Sequence, residues 1–468
     1  MTPERVATAT IANLTNALQN GGTTASAIAA ACLQRAVDLD PVCNAFIEMF
    51  SDEAMARAAA LDSRPRGGAL QGIPFGVKDM IDCKGHRTTA GSAVLHDNIA
   101  LDDAHVVAAL KAAGANCLGK LNLHEFAYGA TGENALYGTA VNAHEPSRLA
   151  GGSSSGSAAA VAWGLLPFAL GTDTGGSVRA PAALNGLVGL KPTYGRLSVR
   201  GVVPYCWSLD HVGIITRTVP DAALVLQEIA TPDPADPGCI RASTDDYVAA
   251  AHGGSDLSGC SVGMPRAFFY ENVDAEIRAA AERASAFLES KGATIKDVVL
   301  PDMTHTRTVS LTIQMPEALS YHMPRLEERG DLYGADFRAG LALGQNLLAE
   351  HYVRAKRMLT VYRAEVDRVF DGVDVLLTPA TPAIAPKLGA VTVTTDGLTE
   401  PAGNAITRFT SFFNMTGHPA ITVPSGLHSS GMPMGVQLVG RQFGEAELLS
   451  IAAIIDANPD FNVPSASI

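Results

Sequence analysis

Apolar positions along the chain follow two spacings, and each spacing predicts one kind of element. After Thr24, and again between Asp102 and Ala113, apolar residues recur every three or four positions, as on one face of a helix. Short apolar runs bounded by Gly or Pro predict strands at 117–121, 168–172, 187–190, 261–264, 373–378 and 420–423. Because helices and strands alternate, the pattern predicts an α/β fold whose sheet is covered by helices on both faces.

Two further segments bear on domain organisation. Residues 231–259 are rich in Pro, Gly, Asp and Ser, and we interpret them as a surface excursion rather than an interdomain linker. Residues 345–370 carry apolar side chains three or four positions apart, which predicts a long helix. We expect this helix to lie over one face of the sheet or to cover a cleft.

Composition and charge narrow the function classes. The 468 residues are 47% hydrophobic and 17% charged, which argues against disorder and coiled coil. The net charge of −13 disfavours nucleic acid and anionic lipid as partners. The seven cysteines form no C-x-x-C pair, and no apolar stretch is long enough to span a membrane or resembles a secretion signal. We therefore expect reduced thiols, a cytoplasmic location and no membrane partner.

The most informative segment is 151–179, which reads GGSSSGSAAAVAWGLLPFALGTDTGGSVR. Two loops rich in Gly and Ser bracket a predicted helix and strand. Glycine lets a backbone approach a ligand closely, and serine hydroxyls supply nucleophiles and hydrogen-bond donors. On composition alone, a reaction site and a pair of tight turns are both open interpretations.

Three short motifs in this segment are incomplete. Residues 152–156 match G-x-S-x-G, but no buried apolar strand precedes them, as a nucleophile elbow requires. Residues 173–175 match the aspartic-protease triplet D-T-G, yet the chain has no second copy to supply the partner carboxylate. The run GGSSSGS lacks the Lys-Ser/Thr ending of a phosphate-binding loop.

A lysine upstream suggests a different chemistry. Lys78 follows the apolar run GIPFGV, and burial there disfavours the charged form and lowers a lysine pKa. A neutral lysine is a base, and it can accept a proton from Ser153, which in turn accepts one from Ser177. Such a relay activates a serine without histidine.

Lys78, Ser153 and Ser177, within GGSSSGSAAA and GTDTGGSVRAPAALNGLVGLKPT, strongly resemble the amidase signature family. The resemblance is dense over about 68–217, includes GKLNLHEFAYG and SLDHVG, and is looser elsewhere, with a more variable helical region at about 300–370. It implies one α/β/α domain over residues 1–468, with a mixed central sheet flanked by helices. It also implies Ser177 as nucleophile, Ser153 as bridging serine after a cis peptide bond, and Lys78 as base.

Backbone and side chains of the second loop complete this hypothesis. The N–H groups around Thr174, Gly175, Gly176 and Ser177 are predicted to form an oxyanion hole, since two glycines let several amides converge on one oxygen. Ser154 and Asp173 are assigned to support. We expect the Ser154 hydroxyl to position Lys78 or Ser153, and the Asp173 carboxylate to bind loop amides; turn capping is the alternative for both.

Substrate contacts are less constrained by the sequence. By resemblance to malonamate-cleaving members, Arg179 is a candidate receptor for a substrate carboxylate. A structural ion pair with Asp173 or another buried acid is the open alternative, so the sequence does not predict a charged substrate. Tyr128 and Gly129 lie in a predicted substrate-facing loop. Tyr205, Cys206 and Trp207 form an aromatic-rich loop after a strand and are candidates for lining the acyl pocket, with core packing as their alternative. The sequence contains no cluster of His, Cys or carboxylate residues at the spacing of metal ligands, so we predict no metal site.

The predicted reaction is hydrolysis of a C–N acyl bond in an amide, an aryl amide or a carbamate, through an acyl-enzyme and without a cofactor. The partner is then a small-molecule substrate, and a homodimer is left open. The alternative is the glutaminase-type component of a tRNA-dependent amidotransferase, which shares the triad and delivers ammonia to a partner subunit. The segment HYVRAKRML argues against this alternative, because it does not match the usual substrate-binding segment of that component.

Overall fold

The computed structural model describes residues 1–65 and 67–466. In this part of the chain, eleven strands form one central sheet, and two more form a separate hairpin. The strands are β1 Phe46–Met49, β2 Pro74–Lys78, β3 Asn116–Leu121, β4 Phe168–Asp173, β5 Val188–Lys191, β6 His211–Thr216, β7 Ser261–Met264, β8 Thr294–Asp297, β9 Val375–Pro379, β10 Thr392–Thr395, β11 Leu398–Pro401, β12 Ala420–Leu427 and β13 Pro433–Gly440.

The central sheet is mixed, as predicted. Its strand order is β1-β3-β2-β4-β6-β5-β12-β13-β9-β7-β8. β2 runs parallel to β3 and to β4, and β7 runs parallel to β8 and β9, whereas the middle of the sheet is antiparallel. Because strands from both ends of the chain share this sheet, we propose that the chain forms a single domain.

Helices flank the sheet, which confirms the predicted α/β/α class. They are α1 Pro3–Thr8, α2 Ile11–Gln19, α3 Ala25–Cys43, α4 Ser51–Asp62, α5 His105–Ala112, α6 Ser155–Ala162, α7 Arg179–Leu184, α8 Val219–Ile229, α9 Tyr247–Ala251, α10 Arg266–Phe269, α11 Ala275–Ser290, α12 Thr306–Arg329, α13 Ala335–Gly344, α14 Ala349–Val369, α15 Ala402–Thr407, α16 Phe412–Thr416 and α17 Glu445–Asp456. Every position of β2, β3 and β4 is buried, as expected for strands covered on both faces.

Two features of this architecture position the candidate site. β2 and β4 are parallel neighbours, so their carboxyl ends, at Lys78 and Asp173, lie at the same edge of the sheet. The long predicted helix is α14, and it packs against α12. The side chains of α12 form one wall of the cavity described below.

Candidate active site

Lys78, the last residue of β2, is fully buried. Its Nζ lies 2.7 Å from Ser153 Oγ and 2.7 Å from Thr172 Oγ1, within hydrogen-bond distance of both hydroxyls. Burial lowers the pKa of Lys78 to about 7, although the carboxylates of Asp210 and Asp173 act in the opposite direction. Lys78 is therefore neutral in a large fraction of molecules at neutral pH.

Lys120 shows what distinguishes Lys78 from another buried lysine. Both side chains are fully buried, but Lys120 Nζ lies 3.0 Å from Asp79 Oδ1. Burial lowers the pKa of Lys120, but neighbouring acidic groups, of which the Asp79 carboxylate contributes most, together raise it above its usual value. Asp79 follows Lys78 in the chain, but its carboxylate forms an ion pair with Lys120 instead. None of the ion pairs of the described residues includes Lys78.

Ser153 and Ser154 stand before α6. The peptide bond between Gly152 and Ser153 is cis, as the family resemblance implied. The Ser154 hydroxyl donates to the carbonyl oxygen of Thr172 at 3.1 Å and accepts from the Thr172 N–H at 3.3 Å. The structure thus corrects the expectation that Ser154 positions Lys78 or Ser153 through its hydroxyl, because that hydroxyl is taken up by the β4 backbone. The Ser154 N–H donates to the Ser177 carbonyl at 3.3 Å, which joins the two serine loops.

Asp173 organises the loop that carries Ser177. Its buried carboxylate accepts the N–H groups of Gly176 at 2.8 Å and Val178 at 3.1 Å. Arg179 donates to the same carboxylate through Nε at 3.1 Å and through a terminal nitrogen at 2.9 Å. Burial raises the pKa of Asp173, but the Arg179 guanidinium, together with Lys191 and the Asn414 amide, holds the pKa well below its usual range. Asp173 therefore remains ionised and shapes the turn.

Glycine is required at one position of this loop. Gly176 has φ of +122°, and a Cβ there would lie 1.8 Å from Thr410 Oγ1. The N–H of Gly176 is bonded to Asp173, so it is not free for a substrate oxygen, contrary to the prediction from sequence. Within the described chain, the N–H groups of Thr174, Gly175 and Ser177 have no acceptor.

A cavity of about 210 Å³ opens beside Ser177. Tyr128 and Gly129, both predicted substrate contacts, line it together with Thr174 and Gly175. The remaining lining residues are Ala127, Ala130, Tyr205, Arg307, Ser310, Leu311, Gln314, Gly403, Asn404, Thr407 and Ser411.

Two predicted substrate contacts do not line this cavity. Trp207 is 47% exposed, its ring packs against Tyr321, and it lines a neighbouring depression instead. Arg179 is fully buried, and its guanidinium is bonded to Asp173, so it cannot also bind a substrate.

Several side chains that the sequence did not single out support the site. Thr172 holds Lys78, and Asp210 accepts the Thr174 hydroxyl at 2.6 Å. Burial raises the pKa of Asp210 to about 6. Asp210 also lies in the motif SLDHVG, which is part of the family resemblance. This motif could have identified Asp210 as a site residue from the sequence. Thr172 is an ordinary residue in a strand, and its sequence context gives no such signal.

Neither a metal centre nor a membrane-spanning helix is present in the described part of the chain. Residues 1–65 and 67–466 contain no group of three or more His, Cys, Asp or Glu side chains that could hold a metal ion. Over the same residues, no helix is long and apolar enough to cross a membrane.

The mixed sheet, the buried lysine and the adjoining serine loops are the features that the sequence predicted for an amidase signature enzyme. Comparison with known proteins agrees, because residues 27–449 match the model of the Amidase family. The chain belongs to this family, whose hydrolases act on C–N bonds.

Curated relatives include two bacterial proteins named as the A subunit of glutamyl-tRNA(Gln) amidotransferase. The protein from Myxococcus xanthus is 40% identical over 460 residues, which cover 92% of this chain and 93% of the relative. The protein from Chloroflexus aggregans is 38% identical over 473 residues, with 94% of each chain covered.

A solved structure from a vestigial protein complex, described as revealing the origins of an s-triazine catabolic enzyme, is similar over the whole chain. It has a TM-score of 0.93 and 34% identity, and the match covers 97% of this chain and 100% of that one.

Proposed function

We propose that the protein cleaves the C–N bond of a small amide through an acyl-enzyme on Ser177. The observation that carries this proposal is the 2.7 Å contact between Ser153 Oγ and Lys78 Nζ, a buried amine whose pKa lies near 7. Neutral Lys78 accepts the proton of Ser153, and Ser153 accepts that of Ser177. The oxygen of Ser177 then attacks the substrate carbonyl carbon, and the carbonyl π electrons move onto its oxygen.

The next steps return the proton and release the nitrogen. The negative oxygen accepts hydrogen bonds from the free N–H groups of the loop, at Thr174, Gly175 and Ser177. The proton held by Lys78 passes through Ser153 to the substrate nitrogen, the C–N bond breaks, and ammonia or an amine leaves. Water then attacks the ester on Ser177 by the same relay, which releases the acid and restores the enzyme.

Relatives favour a more specific version of this function. The curated relatives described above, and a structure from Thermotoga maritima at 30% identity and a TM-score of 0.80, are named as the A subunit of glutamyl-tRNA(Gln) amidotransferase. We therefore propose, as the version that the comparisons favour, that the amide is cleaved to supply ammonia within a complex. A stand-alone amidohydrolase is the second candidate, favoured by a similar solved amidase at 32% identity and a TM-score of 0.87.

The experiment combines turnover with active-site labelling. The purified chain is incubated with glutamine, an aliphatic amide, an anilide and a carbamate, and released ammonia or amine is measured. A fluorophosphonate adduct is located by mass spectrometry. Turnover together with a Ser177 adduct supports the stand-alone enzyme, and a Ser177 adduct without turnover supports the amidotransferase component.

The matched variants separate nucleophile from cavity wall. Ser177→Ala is expected to lose labelling and to lower kcat by at least about 10⁴-fold. Ser411→Ala removes another hydroxyl that lines the same cavity and should retain labelling. An adduct on Ser154 instead of Ser177 would contradict the proposed nucleophile.

A further inference from the structure

The Asp210 carboxylate joins two loops that line the cavity beside Ser177. Its Oδ1 accepts the Thr174 hydroxyl at 2.6 Å. Its Oδ2 accepts the backbone N–H groups of Tyr205 and Cys206, each at 2.9 Å. Thr174 and Tyr205 line the cavity, whereas Asp210 is not among the described residues that line it. Asp210 therefore connects two parts of the cavity wall from behind, without touching the space that a substrate occupies.

The strand pairing explains why this connection bears on the reacting groups. Strand β6 begins at His211, directly after Asp210, and pairs with β4 so that His211 lies opposite Asp173. Thr174 follows Asp173, so its bond to Asp210 fixes the first residue beyond the end of β4. The Thr174 N–H is one of the loop amides without an acceptor in the described chain. A shift of this residue would move a donor away from the developing charge on the substrate oxygen.

Asp210 is also a charge without a counter-ion. None of the ion pairs of the described residues includes it, and the groups that donate to it are neutral. The other charged groups on the elements around Lys78 are paired with one another, Asp173 with Arg179 and Lys120 with Asp79. The uncompensated charge on Asp210 favours the protonated form of Lys78, so it raises the Lys78 pKa that burial lowers.

The titratable groups around Asp210 do not neutralise it. Burial shifts the pKa of each of four neighbours so that the neutral form prevails near neutral pH, at Tyr194, Tyr205, Cys206 and His211. Glu317, on α12, is acidic and accepts the Ser208 N–H at 2.9 Å. Arg200 lines the same surface depression as Asp210, but its guanidinium pairs with Asp233 at 2.7 Å.

We propose that Asp210 is a positioning residue of the reaction, which holds the Thr174 N–H at the substrate oxygen by joining the loop of Thr174 to the loop of Tyr205. Because the same carboxylate acts on Lys78, it also sets the pH at which the base becomes available. The inference rests on the proposed function, since it takes Ser177 as the nucleophile and the loop amides as donors to the oxyanion. It adds a residue behind the cavity that governs how fast Ser177 reacts.

Matched variants separate the hydrogen bonds of Asp210 from its charge. In Asp210→Asn, the amide oxygen can accept both backbone N–H groups while the NH₂ group donates to the Thr174 hydroxyl, so all three contacts persist without the charge. Thr174→Val removes the hydroxyl and keeps the charge on Asp210. Asp236→Asn is the control, because Asp236 lines the same depression and accepts the Val199 N–H at 2.8 Å, but in the described chain it bonds no residue of the cavity beside Ser177.

The test measures the rate constant of fluorophosphonate labelling at Ser177 from acid to alkaline pH, with kcat and KM for any amide that is turned over. Asp210→Asn should move the midpoint of the profile to lower pH and keep the plateau within about tenfold of wild type. Thr174→Val should lower the plateau about 10- to 100-fold, in kcat rather than KM, with a smaller shift of the midpoint. Asp236→Asn should match wild type in both.

Three outcomes decide the inference. An Asp210→Asn midpoint equal to that of wild type would overturn it, and so would a wild-type plateau in Thr174→Val. Either result, with Ser177 still labelled, would leave the proposed function standing. Absence of a Ser177 adduct in wild type would overturn the proposed function and this inference with it. Circular dichroism checks folding, and Thr174→Val decides the positioning role by itself should Asp210→Asn not fold.

Discussion

The signature region at 68–217 and the helical region at 300–370 contribute to the same cavity in opposite ways. In the first, Arg179 and Asp173 are buried and form an ion pair with each other. In the second, the charge at Arg307 is exposed and unpaired. The comparison suggests that buried hydrogen bonds and ion pairs hold the reacting groups in place. The side chains of α12 that line the cavity remain free to contact the substrate.

The largest effect on activity is expected from a substitution of Lys78 in the signature region. Lys78→Arg should lower kcat/KM by about 10³-fold or more at every pH, because a guanidinium stays protonated and cannot act as the base. In wild type, kcat/KM should rise as Lys78 loses its proton, with an apparent pKa of about 7, and then level off. Steady-state assays across the acid to alkaline range measure both.

A matched lysine checks the specificity of that result. Lys111 forms a partly exposed ion pair with Asp103 at 2.8 Å, so Lys111→Arg should keep the wild-type profile. Substantial activity of Lys78→Arg, at any pH where the protein stays folded, would remove Lys78 as the base.

The next effect tests whether Arg179 belongs to the closed network. Arg179→Leu leaves the Asp173 carboxylate buried without its partner, and such a loss costs about 3–5 kcal/mol of unfolding free energy. Urea denaturation measures this cost. Arg266→Leu removes an arginine from half-exposed ion pairs and should cost less than about 1 kcal/mol. If Arg179→Leu were as stable as wild type and lost only carboxylate substrates, Arg179 would be the receptor after all.

The smallest effect on activity is expected from a substitution in the cavity wall next to α12. Tyr205→Phe removes the hydroxyl that donates to Gln314 and should raise KM several-fold, since a neutral hydrogen bond is worth about 1 kcal/mol. Steady-state kinetics with the preferred amide measure the change. Tyr194→Phe removes a hydroxyl that bonds the Trp207 carbonyl outside this cavity and should leave KM as in wild type. A loss in kcat alone for Tyr205→Phe would place the hydroxyl in the chemical step instead.

Much of the sheet could be predicted from the sequence because buried strands leave a strong local pattern. The predicted strand at 261–264 coincides with β7, and that at 168–172 lacks one residue of β4. Strand β2 was recognised as a buried apolar segment and not as a strand, since a short run of five residues containing Pro and Gly gives no clear period.

Site residues that lie in a recognisable sequence motif could be predicted. Those that only tertiary packing brings to the cavity could not. Lys78 and Ser153 were named from sequence and lie in hydrogen-bond contact. Trp207 was misplaced because the sequence shows an aromatic residue after a strand but not the direction of the loop. Arg307 and Gln314 were not found, because α12 brings them to the cavity from far along the chain and no short motif marks them.

The separation of α12 from the two serine loops has an evolutionary consequence. A substitution on the cavity side of this helix can change which amide is accepted, while the hydrogen bonds between Lys78 and Ser153 and within the Asp173 loop are left as they are. Selection can therefore act on substrate preference through single substitutions on the cavity side of α12. In a lineage that acquired a new nutrient or a new partner enzyme, we expect the first substitutions on the cavity side of α12.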